Sequence, residues 1–519
     1  MSLAHDDGSA TAGQTLTFLA LGGSGMRAVE PLLHLCALGL GPRQLRLVLI
    51  DPDQSNAAVK RATELIDLYV RTRRALAEGG AVTGYLGTEV VDAVGSDRVW
   101  SPIADDENLP DARFATRVDR TLMRGQGEPL GNLFDLLYAE RVRRMDLGMG
   151  FRGVPSIGTV FMNRLREEAF FAQMLANAQA NTETLFFAVG SIFGGTGSAA
   201  FPVVGRALAD GVRGQGGANG IAGVPLHRIG GAVLLPYFTL PAPATPDAPD
   251  GGPRPETTLF AQNAAAAMPT YTAGHAGYGA LYVLGDAMPR EQDGNEVGGE
   301  RQQNRAHYVE LFAALAALDF AAGGGADPAG RFPLFRATAV AGKEVRWGDL
   351  PMDDAARRRL MGGIVAAHTV LTLFRPDGAS NPALHDELRG VTWLRLLKLE
   401  GRAFQERSAA LDGLARFYAR TWAWLSELER SDPGCHLTRW EGRAPTQVRP
   451  DELIAGHHLP GSAGRRQHHV FHVFRHWNEA AFRRRAETGF PGFLQTMRDG
   501  SEAYARARFP ESSHPNGAA

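Results

Sequence analysis

Two short glycine-rich runs carry the clearest chemistry in this chain. Gly194-Gly195-Thr196-Gly197-Ser198 follows the apolar stretch Leu185 to Val189 and opens a second one containing Ala199, Ala200, Val203, Val204 and Leu208. Near the N-terminus, Thr17 to Leu21 runs into Gly22-Gly23-Ser24-Gly25-Met26-Arg27, then an apolar pattern at Val29, Leu32, Leu33, Leu35 and Leu38. Both read as strand, glycine turn, helix start. Small residues let the backbone approach an anion, while the unpaired N–H groups and positive dipole end of the helix bind it without side-chain charge. Both turns suit phosphate.

Known phosphate loops narrow the reading. A P-loop places Lys-Ser/Thr directly after its last glycine, because that lysine reaches the outer phosphates; Ser198-Ala199 follows Gly197, which excludes it. Taken alone, the N-terminal unit also fits a dinucleotide-binding Rossmann turn. Gly23-Ser24-Gly25-Met26-Arg27-Ala28 has alanine at the third glycine position, which that fingerprint tolerates. A second phosphate-type turn is foreign to that pattern, yet a Rossmann-type dinucleotide-binding enzyme stays open as an alternative. A second strand, Leu45 to Ile50, delivers Asp51-Pro52-Asp53-Gln54-Ser55-Asn56 at its C-terminal end, where open α/β sheets place ligand residues. Pro52 and Asp53 equally suit a helix start before Ala57-Ala58-Val59.

The string GGTGS after a strand resembles the phosphate loop of the tubulin and FtsZ superfamily, usually written GGGTG[ST]G. Phe193 stands where the first glycine would be and Ala199 where the last would be. The resemblance implies a tubulin-like, doubly wound α/β nucleotide domain with a mostly parallel sheet, a largely helical C-terminal region, and GTP or GDP with Mg²⁺ as ligand. The implied nucleotide-binding residues are Gly22, Gly23, Ser24, Gly25, Met26, Asp51, Asp53, Asn56, Phe193, Gly194, Gly195, Thr196, Gly197 and Ser198, with Asp51 and Asp53 near the metal, holding it indirectly. On this reading Gly195→Val abolishes nucleotide binding and leaves the fold intact.

Further segments extend the resemblance. Ile229 to Tyr237 is similar to the family's fifth strand, after which a carboxylate commonly meets the ribose; Glu256, before Thr257-Thr258-Leu259, matches that place. The intervening Pro241 to Pro255 is rich in Pro, Asp and Gly and long for a connection. After a sixth strand, Ala280 to Leu284, the polar run from Gln302 leads into an alanine- and leucine-rich helix. Asn304 stands where the family's central helix begins with an asparagine that reads the guanine edge. An amide donates and accepts at once, which suits guanine, and asparagine is also an ordinary helix N-cap. Asn304 to Phe320 and Gly150 to Gly158 resemble a bacterial branch of tubulin-like proteins.

One departure bears on activity. The family's G-x-x-N-x-D loop, whose aspartate helps hydrolyse a neighbouring subunit's nucleotide, has no match after Phe320. Asp319, Asp327, Asp349, Asp353 and Asp354 stand nearby, each also readable as a solvated or capping charge. No catalytic residue is assigned. The expectation is a slow GTPase acting through self-assembly into a homo-oligomer or filament. The alternative is a non-hydrolysing scaffold or sensor that works through an unidentified protein partner.

Composition fits a cytoplasmic globular protein. The 519 residues are 44% hydrophobic and 21% charged, ordinary for folded domains with full cores. A net charge of -2 gives no reason to expect nucleic acid. The two cysteines, Cys36 and Cys435, support neither a disulfide framework nor a zinc cluster, and Cys36 reads as core. No signal peptide and no apolar run long enough for a membrane span is visible.

The sequence reads as a flexible leader at 1–14, a nucleotide domain at 15–322 with an insertion at 69–150, a mostly helical region at 323–509 and a disordered tail at 510–519. In the insertion, Ala112 to Arg124 reads as a charged helix; in Leu130 to Met145, Leu133, Leu136, Leu137 and Val142 read as a core stripe. Ala337 to Val340 and Glu344 to Trp347 read as a hairpin, Ala355 to Phe374 and Gly401 to Arg430 as helices. Arg357 to Arg359, Arg465-Arg466 and Arg483 to Arg485 lie among Trp440, Phe471, Phe474, Trp477 and Phe482, which read as core rings with arginines outside, paired to Glu479 and Glu487. His457-His458, His468-His469 and His472 lack zinc-ligand spacing.

Overall fold

Strand β1 (Thr15–Leu21) is buried along its whole length, as expected of a run with no polar face in the middle of a parallel sheet. In this computed structural model it lies within an eight-stranded sheet with β2 (Gln44–Ile50), β3 (Glu89–Asp92), β4 (Val99–Trp100), β5 (Thr184–Ser191), β6 (Ile229–Leu234), β7 (Ala280–Leu284) and β8 (Leu334–Arg336). The order is β8-β7-β6-β5-β1-β2, with β3 and β4 sharing the outer edge of β2, and every pairing is parallel. The described residues are 14–77, 82, 84–92, 94, 98–103, 111–118, 128–213, 220–243, 245, 247–274, 276–292, 294, 298–300, 304–323, 325–326, 334–336, 344–374, 392–398, 408–431, 434–438, 440, 442–455, 470–483 and 489–509.

Register sets the ends of three strands side by side. Leu21 lies opposite Ile50 on one side and Gly190 on the other, so the segments that follow β1, β2 and β5 leave one edge together. The strand order reverses between β1 and β5, which opens a crevice there.

Helix α1 (Gly22–Ala37) starts directly from β1 and packs on α2 (Ala57–Leu76) and on α4 (Tyr308–Ala322). Helix α3 (Thr196–Asp210) starts from the turn after β5 and packs with the helices Pro155–Met162 and Phe260–Thr272. Every residue of α4 from Tyr308 to Ala321 is buried, as its lack of a polar face demands. In the C-terminal part, α5 (Ser408–Arg430) packs on α2, and Asp354–Leu373 packs on α5 and on Gly489–Arg508. Nearly all the buried apolar side chains join one cluster that includes Leu16 and Phe509.

Several sequence expectations change. The leucine stripe is not core: Leu133 is 49% exposed, Leu136 83% and Leu137 65%. In Glu128–Leu137 it is Phe134 that turns inward, against Phe114 and Tyr138, while the leucines stay exposed. Ala112 to Arg124 is helical only at Phe114–Arg117 among the described residues. The sheet does not end by residue 322, because β8 adds to β7 from beyond α4. Val345 makes a lone parallel bridge to Cys435 and Trp347–Asp349 is a short turn, so Glu344 to Trp347 is no hairpin strand. Trp440, Phe474 and Trp477 are core rings as expected, Cys36 is buried, and Phe482 is 56% exposed. Arg475 pairs with Glu479. The leader up to residue 13, the first hairpin strand 337–340, residues 401–407, Asp327, Arg465-Arg466, Arg484-Arg485, Glu487, both His-His pairs and the tail lie outside the described residues. No described helix is long and apolar enough to cross a membrane.

Candidate functional site

The crevice between β1 and β5 encloses a cleft of about 980 Å³, and the two glycine turns meet in its floor. Gly22 has φ +69°, a left-handed conformation that glycine adopts without strain, and it turns the chain from β1 straight into α1. A Cβ there would stand 3.0 Å from the Gly197 amide nitrogen and 3.0 Å from the Thr196 Cβ. The N-terminal ends of α1 and α3 therefore open side by side into one cavity. First-turn N–H groups lack partners within their own helices, so the pair forms a ready anion site.

The glycines divide by role. A Cβ on Gly25 would sit 2.5 Å from the Val189 carbonyl oxygen, and one on Gly197 2.6 Å from that of Ser191; these two let helix and strand touch. A Cβ on Gly23 would meet nothing within 4 Å, and one on Gly194 only the Ser191 hydroxyl at 3.1 Å. Gly23 and Gly194 both line the cleft, so they are the open positions of the cradle. Gly195 departs from expectation: its Cβ would lie 2.5 Å from the Phe151 carbonyl carbon, so Gly195→Val disturbs packing as well as any ligand.

Ser24, Met26, Phe193 and Thr196 line the cleft. Ser198 does not; its hydroxyl donates to the Ile192 carbonyl at 2.9 Å and braces the turn. Phe193 packs edge-on against Tyr237 and Phe238 and beside Phe260, an aromatic wall where the family pattern has glycine.

Asp51, Asp53 and Asn56 all reach the cleft, each with structural bonds as well. Asp51 Oδ1 accepts from the Asp53 N–H at 3.0 Å. Burial pushes the Asp51 carboxyl up to about 8, against the pull of that bond and with a further push from the Asp53 charge. Asp53 accepts from Ser55 through Oδ1 and from the Gly299 N–H through Oδ2, and Asn56 caps α2 through the Ala58 N–H. No group of three or more His, Cys, Asp or Glu able to hold a metal exists among the described residues. Mg²⁺ is usually held by one or two carboxylates with phosphate oxygens and water completing the shell; Asp51 lines the same cleft as the turns, and its buried carboxyl would have to lose its proton to serve as such a ligand.

Asn304 lines the cleft and is not the N-cap of α4. That place belongs to His307, whose ring accepts from the Val309 N–H while Glu310 accepts from the His307 N–H. Glu256 is exposed at the entry to the short turn Thr257–Leu259 and does not line the cleft, although Pro255 does. Within α4, Asp319 accepts from the buried Tyr282 hydroxyl; beyond it, Asp349 accepts from the Arg346 N–H and Asp353 from the Ala356 N–H, while Asp354 pairs with Arg357.

Five charged residues and the cleft role of one loop escaped the sequence reading. Arg27 donates to Glu310 and to the Arg305 carbonyl, and Tyr237 donates to Glu310 at 3.0 Å. Arg61 joins Glu30 of α1 to Glu427 of α5, each at 2.7 Å. Glu310 had a local signal, lying three residues after a capping side chain; Glu427 had none, being far away in sequence. The loop is Gly150–Gly153, where Gly150, Arg152 and Gly153 have φ of +81°, +43° and +79°. It lies on Gly195, and Arg152 grips Asp250 with two bonds of 2.8 Å. Burial alone would raise the Asp250 carboxyl; the guanidinium and two backbone N–H bonds overcome it and hold it down to about 2.

No family model matches this chain, and neither does any curated protein.

Proposed function

We propose that the cleft binds a guanine nucleotide, GTP or GDP, and that the chain is a tubulin-like protein of the tubulin and FtsZ superfamily. The observation that carries this reading is the meeting of two glycine turns at one strand reversal, Gly22 against Gly197. The phosphates would lie over Gly23 and Gly194, Mg²⁺ on the Asp51 side, and the base toward Asn304. The cleft volume is in the range of small-molecule sites. The strand order is equally that of dinucleotide-binding sheets. What favours the tubulin-like reading over a Rossmann enzyme is the second turn, which a dinucleotide unit does not require. The test is competition of GTP, ATP and NAD for the purified chain: GTP displaces the others on this reading, and preferential binding of NAD overturns it.

Turnover is expected to be slow in the isolated chain. Phosphoryl transfer depends on positioning and on stabilising developing charge, and the described acids after α4 are engaged as caps or pairs. This observation favours a second reading, a nucleotide-dependent scaffold or sensor acting through a protein partner or through assembly. Phosphate release rising more steeply than linearly with protein concentration supports a site completed by association; brisk release proportional to concentration contradicts both.

A further inference from the structure

Helix α5 of the C-terminal helical region contributes Arg420, Ala423 and Glu427 to the lining of the cleft. Glu427 projects from α5 and accepts from the Ala306 N–H through Oε1 at 2.8 Å. Its other oxygen takes the Arg61 guanidinium at 2.7 Å, and Arg61 in turn holds Glu30 on α1. From the opposite side, Arg27 of α1 donates to the Arg305 carbonyl. The strap Asn304–Ala306 is thus tied at neighbouring backbone groups by two helices distant in sequence, and all three of its residues, Asn304 among them, line the cleft.

We propose that Glu427 is a positioning residue for base recognition: it fixes the strap that presents Asn304, and so makes nucleotide choice depend on the C-terminal region. The inference rests on the nucleotide reading above. The physical argument is one of precision. An amide reads a base edge only when its donor and acceptor are held in register, and a strap without regular secondary structure has no ladder of its own to hold it. The glycine turns are anchored to β1 and β5 instead, so phosphate affinity does not depend on Glu427. Glu427 lines the cleft with both oxygens engaged, Oε1 by the Ala306 N–H and Oε2 by Arg61, and on this proposal it acts through those two partners.

The test is calorimetric titration of the full chain and of Glu427→Ala with GDP, ADP and inorganic pyrophosphate. Glu427→Ala should leave pyrophosphate affinity within about twofold and lower the GDP-to-ADP preference about tenfold, the weight of one hydrogen-bonded contact. Glu427→Gln, whose amide oxygen can still accept from Ala306, should restore most of that preference. If Glu427→Ala does not fold, Glu427→Asp, with the carboxylate withdrawn by one methylene, carries the same expectation. An unchanged preference in the alanine variant, equal loss of pyrophosphate and GDP, or a glutamine variant no better than alanine overturns the inference. A wild-type chain that binds pyrophosphate but does not prefer GDP overturns the guanine reading itself.

Discussion

Gly22 and Gly197 touch across the strand reversal: a single Cβ on Gly22 would reach within 3.0 Å of the Gly197 nitrogen while Gly22 holds φ at +69°. The contact locks the starts of α1 and α3 together. Gly22→Ala therefore meets both backbone strain and crowding and should destabilise the chain by roughly 1–3 kcal/mol. Urea unfolding followed by tryptophan fluorescence measures it; an unchanged midpoint would contradict this packing.

Gly195→Val should cost stability as well as ligand binding. Its Cβ would fall 2.5 Å from the Phe151 carbonyl carbon and 2.8 Å from the Gly153 nitrogen, both backbone atoms that yield only if the loop moves. The expected loss is about 2–4 kcal/mol, at the upper end for single substitutions. A thermal midpoint equal to wild type would show that Gly150–Gly153 does not rest on this turn.

Much of the parallel-sheet region was legible because strands with no polar face and glycine turns are local signals. Ala280–Leu284 matches its expected bounds, and β1, β2 and β5 differ by a few terminal residues. What failed needed the third dimension. Leu133, Leu136 and Leu137 have helical spacing, but spacing does not say whether anything lies opposite, and here the inward place goes to Phe134. The sequence left Asn304 open between a base-reading amide and a helix cap, and the capping bonds belong to His307 and Glu310. Arg61, Glu30 and Glu427 meet only because α5 folds back on α2, and no local pattern announces that.

The Arg152–Asp250 grip gives a pH signature. Asp250 titrates near 2 in the folded chain and near the ordinary aspartate value of about 3.9 when unfolded. Its folded pKa is depressed, so the contribution is complete above about pH 4 and is lost as pH falls toward about 2. Urea midpoints across pH 5 to about 2.5 should therefore fall more steeply for wild type than for Asp250→Asn. Parallel profiles would mean that the pair adds nothing.

Leu136 is 83% exposed, so Leu136→Ser should change stability by less than about 0.5 kcal/mol. A loss above about 2 kcal/mol in the monomeric chain would restore the core-stripe reading.

Gly23 offers the most direct test of the nucleotide reading. A Cβ there meets nothing within 4 Å and enters the cleft, and valine is no poorer a helix residue than glycine. Calorimetric titration of wild type and Gly23→Val with GDP in Mg²⁺ should show binding weakened about a hundredfold, roughly 3 kcal/mol, with thermal midpoints alike. Equal GDP affinity in the two proteins would contradict phosphate binding over this turn.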